Sequence, residues 1–137
     1  MTGDKRESLF PAFAVVGMVG FIVDAAVFQL LYSTLGGYVL PRILATAVAV
    51  VVTWGLNRRF VFRTAGTTGA AKEFVRYVTV QSSGIVVNFA VYALLLTLSE
   101  ALRQVPVAAV AVGALVAMVF NYLGARHWVF AKTGWRP

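Results

Sequence analysis

The stretch Phe10–Leu31, FPAFAVVGMVGFIVDAAVFQLL, is the most informative part of the chain, because a related stretch follows at Phe74–Leu95, FVRYVTVQSSGIVVNFAVYALL. Eight aligned positions are identical at a constant shift of 64 residues. Both copies are largely apolar, and each carries one polar residue near its middle, Asp24 in the first and Asn88 in the second. Because an internal repeat indicates a repeated architecture, we predict one structural unit used twice.

A second pair of matching blocks extends each copy. The sequence RRFVF at Arg58–Phe62 returns as RHWVF at Arg126–Phe130, at a shift of 68 residues. The repeats therefore cover about residues 10–63 and 74–132, within a single domain that spans residues 1–137. Each repeat is predicted to be a pair of helices. The two repeats are predicted to have the same orientation in the membrane.

The composition places this domain in a membrane. Of the 137 residues 60% are hydrophobic and only 12% are charged, whereas average soluble chains have about 25% charged residues. A membrane-spanning helix needs about 20 apolar residues. A membrane β-barrel would show segments of about ten residues in which apolar and polar residues alternate strictly. The apolar runs of this chain are longer and lack that alternation. We predict an all-α membrane protein with two parallel-repeat hairpins and four spans, at about Phe10–Tyr32, Val39–Asn57, Phe74–Leu98 and Val105–Leu123.

The positions of the basic residues predict the topology. The net charge is +7, and ten of the 12 Lys and Arg residues fall at the N-terminus, in the central loop or at the C-terminus. Only Arg42 and Arg103 belong to the two hairpin tips. The positive-inside rule therefore predicts that both termini lie in the cytoplasm. So little of the chain lies outside the spans that we expect no nucleic-acid partner.

Small residues recur in register in the second and fourth spans. Ala45 and Ala49 correspond to Gly113 and Ala117 at the shift of 68. Small residues four apart share a helix face and allow close helix approach, so they predict a packing seam. The sequence leaves open whether this seam is internal or joins two copies, and it makes a homo-oligomer plausible.

A polar seam crosses the first and third spans. Since residues three and four apart share a helix face, Gly20 aligns with Asp24, and Gln81 and Gly84 align with Asn88. An ionisable residue inside a span indicates function by default. We predict that this seam binds a polar substrate, with Asp24 as a proton-coupling carboxyl or an acceptor for sugar hydroxyls. The alternative is a polar contact that only fixes helix packing.

A basic cluster lies at the predicted cytoplasmic ends of the second and fourth spans. Arginine presents a planar fork of donors that suits phosphate, so we predict phosphate binding here. The alternative is an ordinary interfacial belt of anchoring residues. The predicted phosphate ligands are Asn57, Arg58, Arg59, Asn121 and Arg126, flanked by the interfacial aromatics Trp54 and Trp128.

No pattern in the sequence indicates an enzyme. His127 is the only histidine and the chain has no cysteine, so we expect no metal site. Asp24 lies at mid-span and His127 at the surface, which disfavours a catalytic triad. Because no glycine-rich phosphate loop or nucleotide fingerprint occurs, we expect no cofactor.

The ordered set of motifs resembles the GtrA-like family of small membrane proteins. The resemblance covers about residues 10–132 and rests on four patterns. They are Phe13-x-x-x-Gly17-x-x-Gly20-x-x-x-Asp24, Asn57-Arg58-Arg59-Phe60-Val61-Phe62, Phe74-x-x-Tyr77 through Gly84-x-x-x-Asn88, and Asn121-x-x-x-x-Arg126-His127-Trp128-Val129-Phe130. One departure separates the halves, because the second span has Thr53 where the fourth has Asn121.

The resemblance implies a role in making cell-surface polysaccharide. It implies a flippase that moves a polyprenyl-phosphate-linked sugar across a bacterial or archaeal cytoplasmic membrane, beside a membrane glycosyltransferase. Related modules fused to polyprenyl-phosphate mannose synthases imply an alternative, in which the chain anchors or recruits the glycosyltransferase. A third possibility, independent of the resemblance, is a small proton-coupled exporter of cationic drugs, since such proteins also place one carboxyl in a first span.

Overall fold

The computed structural model describes residues 8–63 and 69–131, and its ordered elements there are all helical. The chain divides into two compact units, Met1–Ala65 and Gly66–Pro137, called unit 1 and unit 2 below. Each unit contains one of the two sequence repeats. Each is a hairpin of two long helices, which we describe separately.

Unit 1 consists of α1 (Phe10–Leu35) and α2 (Val39–Leu56), followed by a π-helical turn at Asn57–Val61. Gly36 and Gly37 form the connection with φ of 69° and 72°. Residues with a Cβ rarely adopt positive φ, which explains the glycine pair. We call this connection the turn end of the hairpin, and the opposite end, with Phe10 and Asn57–Val61, the open end.

Unit 2 has the same plan with a longer connection. It consists of α3 (Ala70–Leu98), the short α4 (Glu100–Gln104), α5 (Pro106–Gly124) and a second π-helical turn at Ala125–Val129. The Ser99 hydroxyl caps α4 by accepting a hydrogen bond from the Leu102 N–H at 3.3 Å. The α4 segment forms the turn end of unit 2, while Ala70 and Ala125–Val129 form its open end.

The four spans are as predicted in number and order. The helices that are long and apolar enough to cross a membrane are Phe10–Leu35, Val39–Val61, Ala70–Leu98 and Pro106–Val129. The prediction of an all-α membrane fold is therefore confirmed. All four extend beyond a predicted end. The second and fourth do so through the π turns, so both basic blocks are helical. The predicted sides of the membrane stay a prediction.

Each hairpin packs along a stripe of small residues spaced four apart. Ala45 is fully buried and Ala49 is nearly so, and Gly113 and Ala117 are buried at the aligned positions. In unit 1 the seam faces α1, and in unit 2 it faces α3. The predicted small-residue seam is thus used inside each hairpin. The buried stripes run through Pro41, Ala45, Ala49, Thr53, Asn57 and Val61 in unit 1, and through Ala109, Gly113, Ala117, Ala125 and Val129 in unit 2.

Both open ends are closed by a pair of aromatic rings. Phe13 meets Phe62 edge-on with ring centroids 6.3 Å apart, and Tyr77 meets Phe130 at 5.9 Å. The π turns set up these contacts through the bonds from Phe62 N–H to Asn57 O and from Phe130 N–H to Ala125 O, both 2.8 Å. The wide turn directs the last apolar residues inward, and it leaves the basic side chains on the outside.

Candidate functional site

An ion pair joins the two helices of unit 1, between its turn end and the middle of α1. The Arg42 Nη1 donates to Asp24 Oδ2 at 2.7 Å, and the Thr46 hydroxyl donates to Asp24 Oδ1 at 3.2 Å. Arg42 and Thr46 are four apart on α2 and therefore share a face. The sequence placed Arg42 at the hairpin tip and did not connect it with Asp24.

Arg42 reaches inward from the turn end to make this contact. It lies three residues after the start of α2, which is about 4.5 Å of rise. Asp24 lies 11 residues before the end of α1, about 16 Å along the helix. A long basic side chain near a span end ordinarily extends toward water. Here the guanidinium extends toward the middle of the span, where it contacts the Asp24 carboxylate.

The energetics favour pairing at this depth. Insertion scales assign about 2.5–3.5 kcal/mol to a lone Asp or Arg at the centre of a span. Two opposite charges in contact offset much of that cost. The two partners are unequally covered, because the Asp24 side chain is 16% exposed and that of Arg42 is 60% exposed. The carboxylate is therefore shielded, whereas the guanidinium remains accessible.

Unit 2 builds the same hairpin without charges at the aligned positions. Asn88 replaces Asp24, and the positions of Arg42 and Thr46 are taken by Val110 and Ala114. The Asn88 side chain instead packs against α5, where a Cβ on Gly113 would lie 2.5 Å from Asn88 Oδ1. The acid and its basic partner are thus absent together from unit 2.

Both hairpins make a close contact between a glycine and a polar side chain. A Cβ on Gly20 would overlap the Thr53 methyl group, and a Cβ on Gly84 would overlap the Asn121 amide. Thr53 satisfies its hydroxyl by donating to Ala49 O at 2.9 Å. Asn121 Oδ1 is buried and accepts no hydrogen bond within residues 8–63 and 69–131. The predicted sugar ligand Gly84 and the predicted phosphate ligand Asn121 are therefore in contact.

Two other predicted ligands lie inside the hairpins. Gln81 donates from Nε2 to the Tyr77 hydroxyl at 2.7 Å, which holds it along its own helix. Asn57 is only 1% exposed and forms part of the buried stripe of unit 1. Its neighbours Arg58 and Arg59 are better placed for a ligand, because they lie on the outer side of the π turn.

The predicted basic clusters stack on aromatic rings. In unit 1 the Arg58 guanidinium lies 5.5 Å from the Trp54 ring centroid, and Arg59 lies 5.8 Å from that of Phe60. In unit 2 Arg126 lies 6.0 Å from the Tyr122 ring and donates to its hydroxyl at 3.0 Å. Such stacking fixes the plane of a guanidinium and leaves N–H donors at its edge.

The structure adds a groove at the open end of unit 2 that the sequence reasoning missed. It has a volume of about 460 Å³ and is lined by Ala71, Lys72, Val75, Arg76, Thr79 and Trp128. Arg76 lies 5.5 Å from the Trp128 ring centroid and donates to the Trp128 carbonyl at 3.5 Å. Two cations thus border a wall that is otherwise mainly apolar.

The groove has no counterpart in the sequence of unit 1. Ser8 and Ala12 align with Lys72 and Arg76, and Phe60 aligns with Trp128. The signal that could have found the groove is the spacing of Lys72 and Arg76, four apart before a long apolar run. The stacking partner Trp128 is 52 residues away, so only the fold brings the three together.

Glu73 is a second feature that the sequence reasoning missed. It belongs to the first turn of α3 and is only 3% exposed. A carboxylate in the first turn interacts favourably with the helix dipole. Its position between Lys72 and Arg76 in the sequence also limits the net charge of this end.

The described side chains differ from those of a metal centre in how they are grouped. Within residues 8–63 and 69–131, no three His, Asp or Glu side chains come together as metal ligands would. The chemistry that this arrangement offers is ionic and hydrogen-bonding. It consists of cations that can bind an anion, amides and a carboxylate that can bind hydroxyls, and apolar faces that can contact lipid chains.

Comparison with known proteins gives one result. The family model for the GtrA/DPMS transmembrane domain matches residues 12–131, which includes both hairpins. A search of curated proteins found no match. The chain therefore belongs to the GtrA/DPMS transmembrane-domain family, and it is a multi-pass membrane protein of glycan-precursor synthesis or translocation.

Proposed function

We propose that this protein moves a polyprenyl-phosphate-linked sugar across a bacterial or archaeal cytoplasmic membrane for cell-surface glycan synthesis. The open ends of both hairpins face the cytoplasm in this proposal. The concentration of basic residues at those ends supports the orientation. The protein acts as a transporter without catalytic residues of its own, and a membrane glycosyltransferase supplies the lipid.

The groove at the open end of unit 2 is the observation that carries the proposal. A polyprenyl-phosphate sugar combines an anionic phosphate with a long apolar chain. Lys72 and Arg76 provide the charge for the phosphate, and Ala71, Val75 and Trp128 provide an apolar wall for the first prenyl groups. Basic pockets beside membrane spans bind lipid head groups in this way. At the open end of unit 2 Arg126 is a further phosphate ligand, and at its own open end unit 1 offers Arg58 and Arg59.

The polar seam provides hydrogen-bonding groups for the sugar during transit. Gln81, Asn88 and Asp24 offer amide and carboxylate groups along the spans, where bulk water is absent. Gly20 and Gly84 allow the two helices within each hairpin to pack closely beside these groups. The sugar then exchanges hydrogen bonds with water for hydrogen bonds with protein, while the prenyl chain stays in lipid.

Reconstitution of the purified chain into vesicles tests the proposal. A fluorescent polyprenyl-phosphate sugar is added, and a membrane-impermeant quencher measures how much of it reaches the opposite leaflet with time. We expect protein-dependent translocation. We expect the double variant Lys72→Gln/Arg76→Gln to reduce its rate at least about tenfold, since each charge-assisted hydrogen bond contributes about 1.5–3 kcal/mol.

Arg103→Gln is the matched control. It removes one positive charge from unit 2 at the turn end, where Arg103 bonds to the carbonyls of Leu96 and Thr97. Translocation at the wild-type rate by the groove variant, at equal protein content, would contradict the proposal. An equal loss in the control would attribute the effect to folding or to overall charge.

An anchor for a glycosyltransferase is the second candidate, favoured by the family description that includes DPMS domains. It predicts that purified protein moves no lipid, and that the transferase leaves the membrane fraction when this chain is deleted. The exporter of cations is disfavoured, because Asp24 already contacts Arg42 and is mostly shielded. A homo-oligomer remains a further proposal, which cross-linking in vesicles can test.

A further inference from the structure

We propose that Arg42 is a second phosphate-binding site, toward the turn end of unit 1, with Asp24 as its resident counter-ion. In the proposed function this end faces the outer leaflet. A lipid-linked phosphate that reaches the outer leaflet would contact Arg42 in place of the Asp24 carboxylate. This inference rests on the proposed function. In this proposal the phosphate is captured at the groove of unit 2 and arrives at Arg42.

The unequal exposure of the pair indicates that the ligand is an anion. The Arg42 side chain is 60% exposed, while that of Asp24 is 16% exposed. A guanidinium has five N–H donors, and Asp24 is the one acceptor of an Arg42 side-chain bond among the residues that the structure describes. An approaching molecule thus meets free donors first. A cation would meet the positive charge before it reached the carboxylate.

The other hairpin of the chain forms without such a pair. Unit 2 forms the same two-helix seam with Asn88, Val110 and Ala114 at the aligned positions. A salt bridge inside a protein is in general weak evidence for a stabilising role, since a neutral apolar replacement often folds equally well. Since unit 2 forms its hairpin without these charges, we infer that the charges of unit 1 serve ligand binding.

The two arginines at the turn ends differ in what they contact. Arg103 bonds to the backbone carbonyls of Leu96 and Thr97 and pairs with Glu100 at 3.4 Å, all at the end of its own hairpin. Arg42 bonds to a side chain near the middle of the opposite helix. Arg103 therefore stabilises a connection, whereas Arg42 is directed along the path of a lipid head group.

The counter-ion gives the site a means of release. Without ligand, Asp24 neutralises Arg42 and spares the membrane an unpaired charge. With ligand, phosphate and carboxylate compete for the same guanidinium, so the phosphate is held weakly and can leave. The competition predicts opposite effects for the two partners. Loss of Arg42 weakens phosphate binding, and loss of the Asp24 charge strengthens it.

A fluorescent reporter next to Arg42 measures this competition. The chain has no cysteine, and Ile43 is 60% exposed, so Ile43→Cys accepts one environment-sensitive dye. The full chain in phosphatidylcholine nanodiscs is titrated with polyprenyl phosphate. We expect a saturable signal whose affinity falls about tenfold with Arg42→Gln, the loss expected for one charge-assisted hydrogen bond. With Asp24→Asn we expect the affinity to rise several-fold.

Two further variants control for folding and for charge. Asp24→Asn/Arg42→Val copies the residues of unit 2, so it is expected to fold and not to bind. Arg103→Gln removes the turn-end arginine of unit 2 and should leave the titration unchanged. A weaker affinity with Asp24→Asn, or an unchanged affinity with Arg42→Gln, overturns the site. Phosphatidylglycerol that competes equally well assigns Arg42 to bulk anionic lipid and also overturns the site.

The outcomes separate this inference from the proposed function. Translocation by the wild type, together with a reporter that does not respond to polyprenyl phosphate, overturns only the second site. A reporter that responds as expected in a protein that translocates nothing supports the site and refutes the transport function.

Discussion

The two hairpins share one plan, and each holds one charged cluster that the other lacks at the aligned positions. Unit 2 has cations in a groove at its open end, where unit 1 has Ser8 and Ala12. Unit 1 has the Asp24–Arg42 pair toward its turn end, where unit 2 has Asn88 and Val110. The difference shows that the packing seam needs neither set. In the proposed function, the cluster of unit 2 captures the phosphate and the cluster of unit 1 receives it.

The largest expected effect follows from removing one member of the ion pair. Arg42→Val leaves the Asp24 carboxylate without its cation, and we expect it to destabilise the protein by about 2–3 kcal/mol. Asp24→Asn/Arg42→Val should restore stability to within about 1 kcal/mol of the wild type, as unit 2 suggests. Unfolding of the reconstituted protein in SDS measures both. A double variant no more stable than the single one would show that unit 1 needs the pair to fold.

The glycine contacts sharpen what the hairpins have in common. Gly84→Ala places a methyl group against the Asn121 amide, and Gly20→Ala places one against Thr53. We expect each to cost about 1–3 kcal/mol, since overpacking a seam forces side chains aside. Thermal unfolding in detergent is the measurement.

Gly17 provides the matched control for these substitutions. It lies one turn from Gly20 on the same helix, and nothing is within 4 Å of a Cβ built there. Gly17→Ala should therefore be neutral or slightly stabilising, because alanine favours a helix. Equal effects at Gly17 and Gly20 would mean that the seam is not the close contact described.

The smallest expected effect concerns a hydrogen bond that exists only in unit 2. Tyr77 accepts from Gln81 at 2.7 Å, whereas Phe13 occupies the aligned position in unit 1. Tyr77→Phe copies unit 1 and should cost about 1 kcal/mol, because the Gln81 amide loses its acceptor. Stability measured by denaturation tests this, with Phe13→Tyr as the reciprocal change. A neutral Tyr77→Phe would show that Gln81 finds another partner.

The sequence was sufficient for the hairpins because their signals are local and repeated. A run of apolar residues longer than a membrane is thick predicts a span, and small residues four apart predict a seam. Both are read over a few turns of one helix. The repeat aligned Gly20 with Gly84 and Thr53 with Asn121. Within each hairpin the structure brings the glycine against its polar partner, Gly20 against Thr53 and Gly84 against Asn121.

The remaining features depend on contacts between helices that no local pattern encodes. Arg42 was placed at a hairpin tip because the positive-inside rule counts charges and ignores side-chain direction. Its bond to Asp24 depends on the relative depth of α1 and α2. The π turns moved Arg58 and Arg126 onto helical surfaces. The groove required Trp128 to fold back beside Arg76.

The decisive measurement is the translocation rate of Asp24→Asn/Arg42→Val, taken together with the stability of that variant. The central claim is that the charges of unit 1 serve the substrate and not the fold. We predict an unfolding free energy within about 1 kcal/mol of the wild type, together with translocation of a polyprenyl-phosphate sugar slowed about tenfold or more. Wild-type translocation by a variant of wild-type stability would contradict the account.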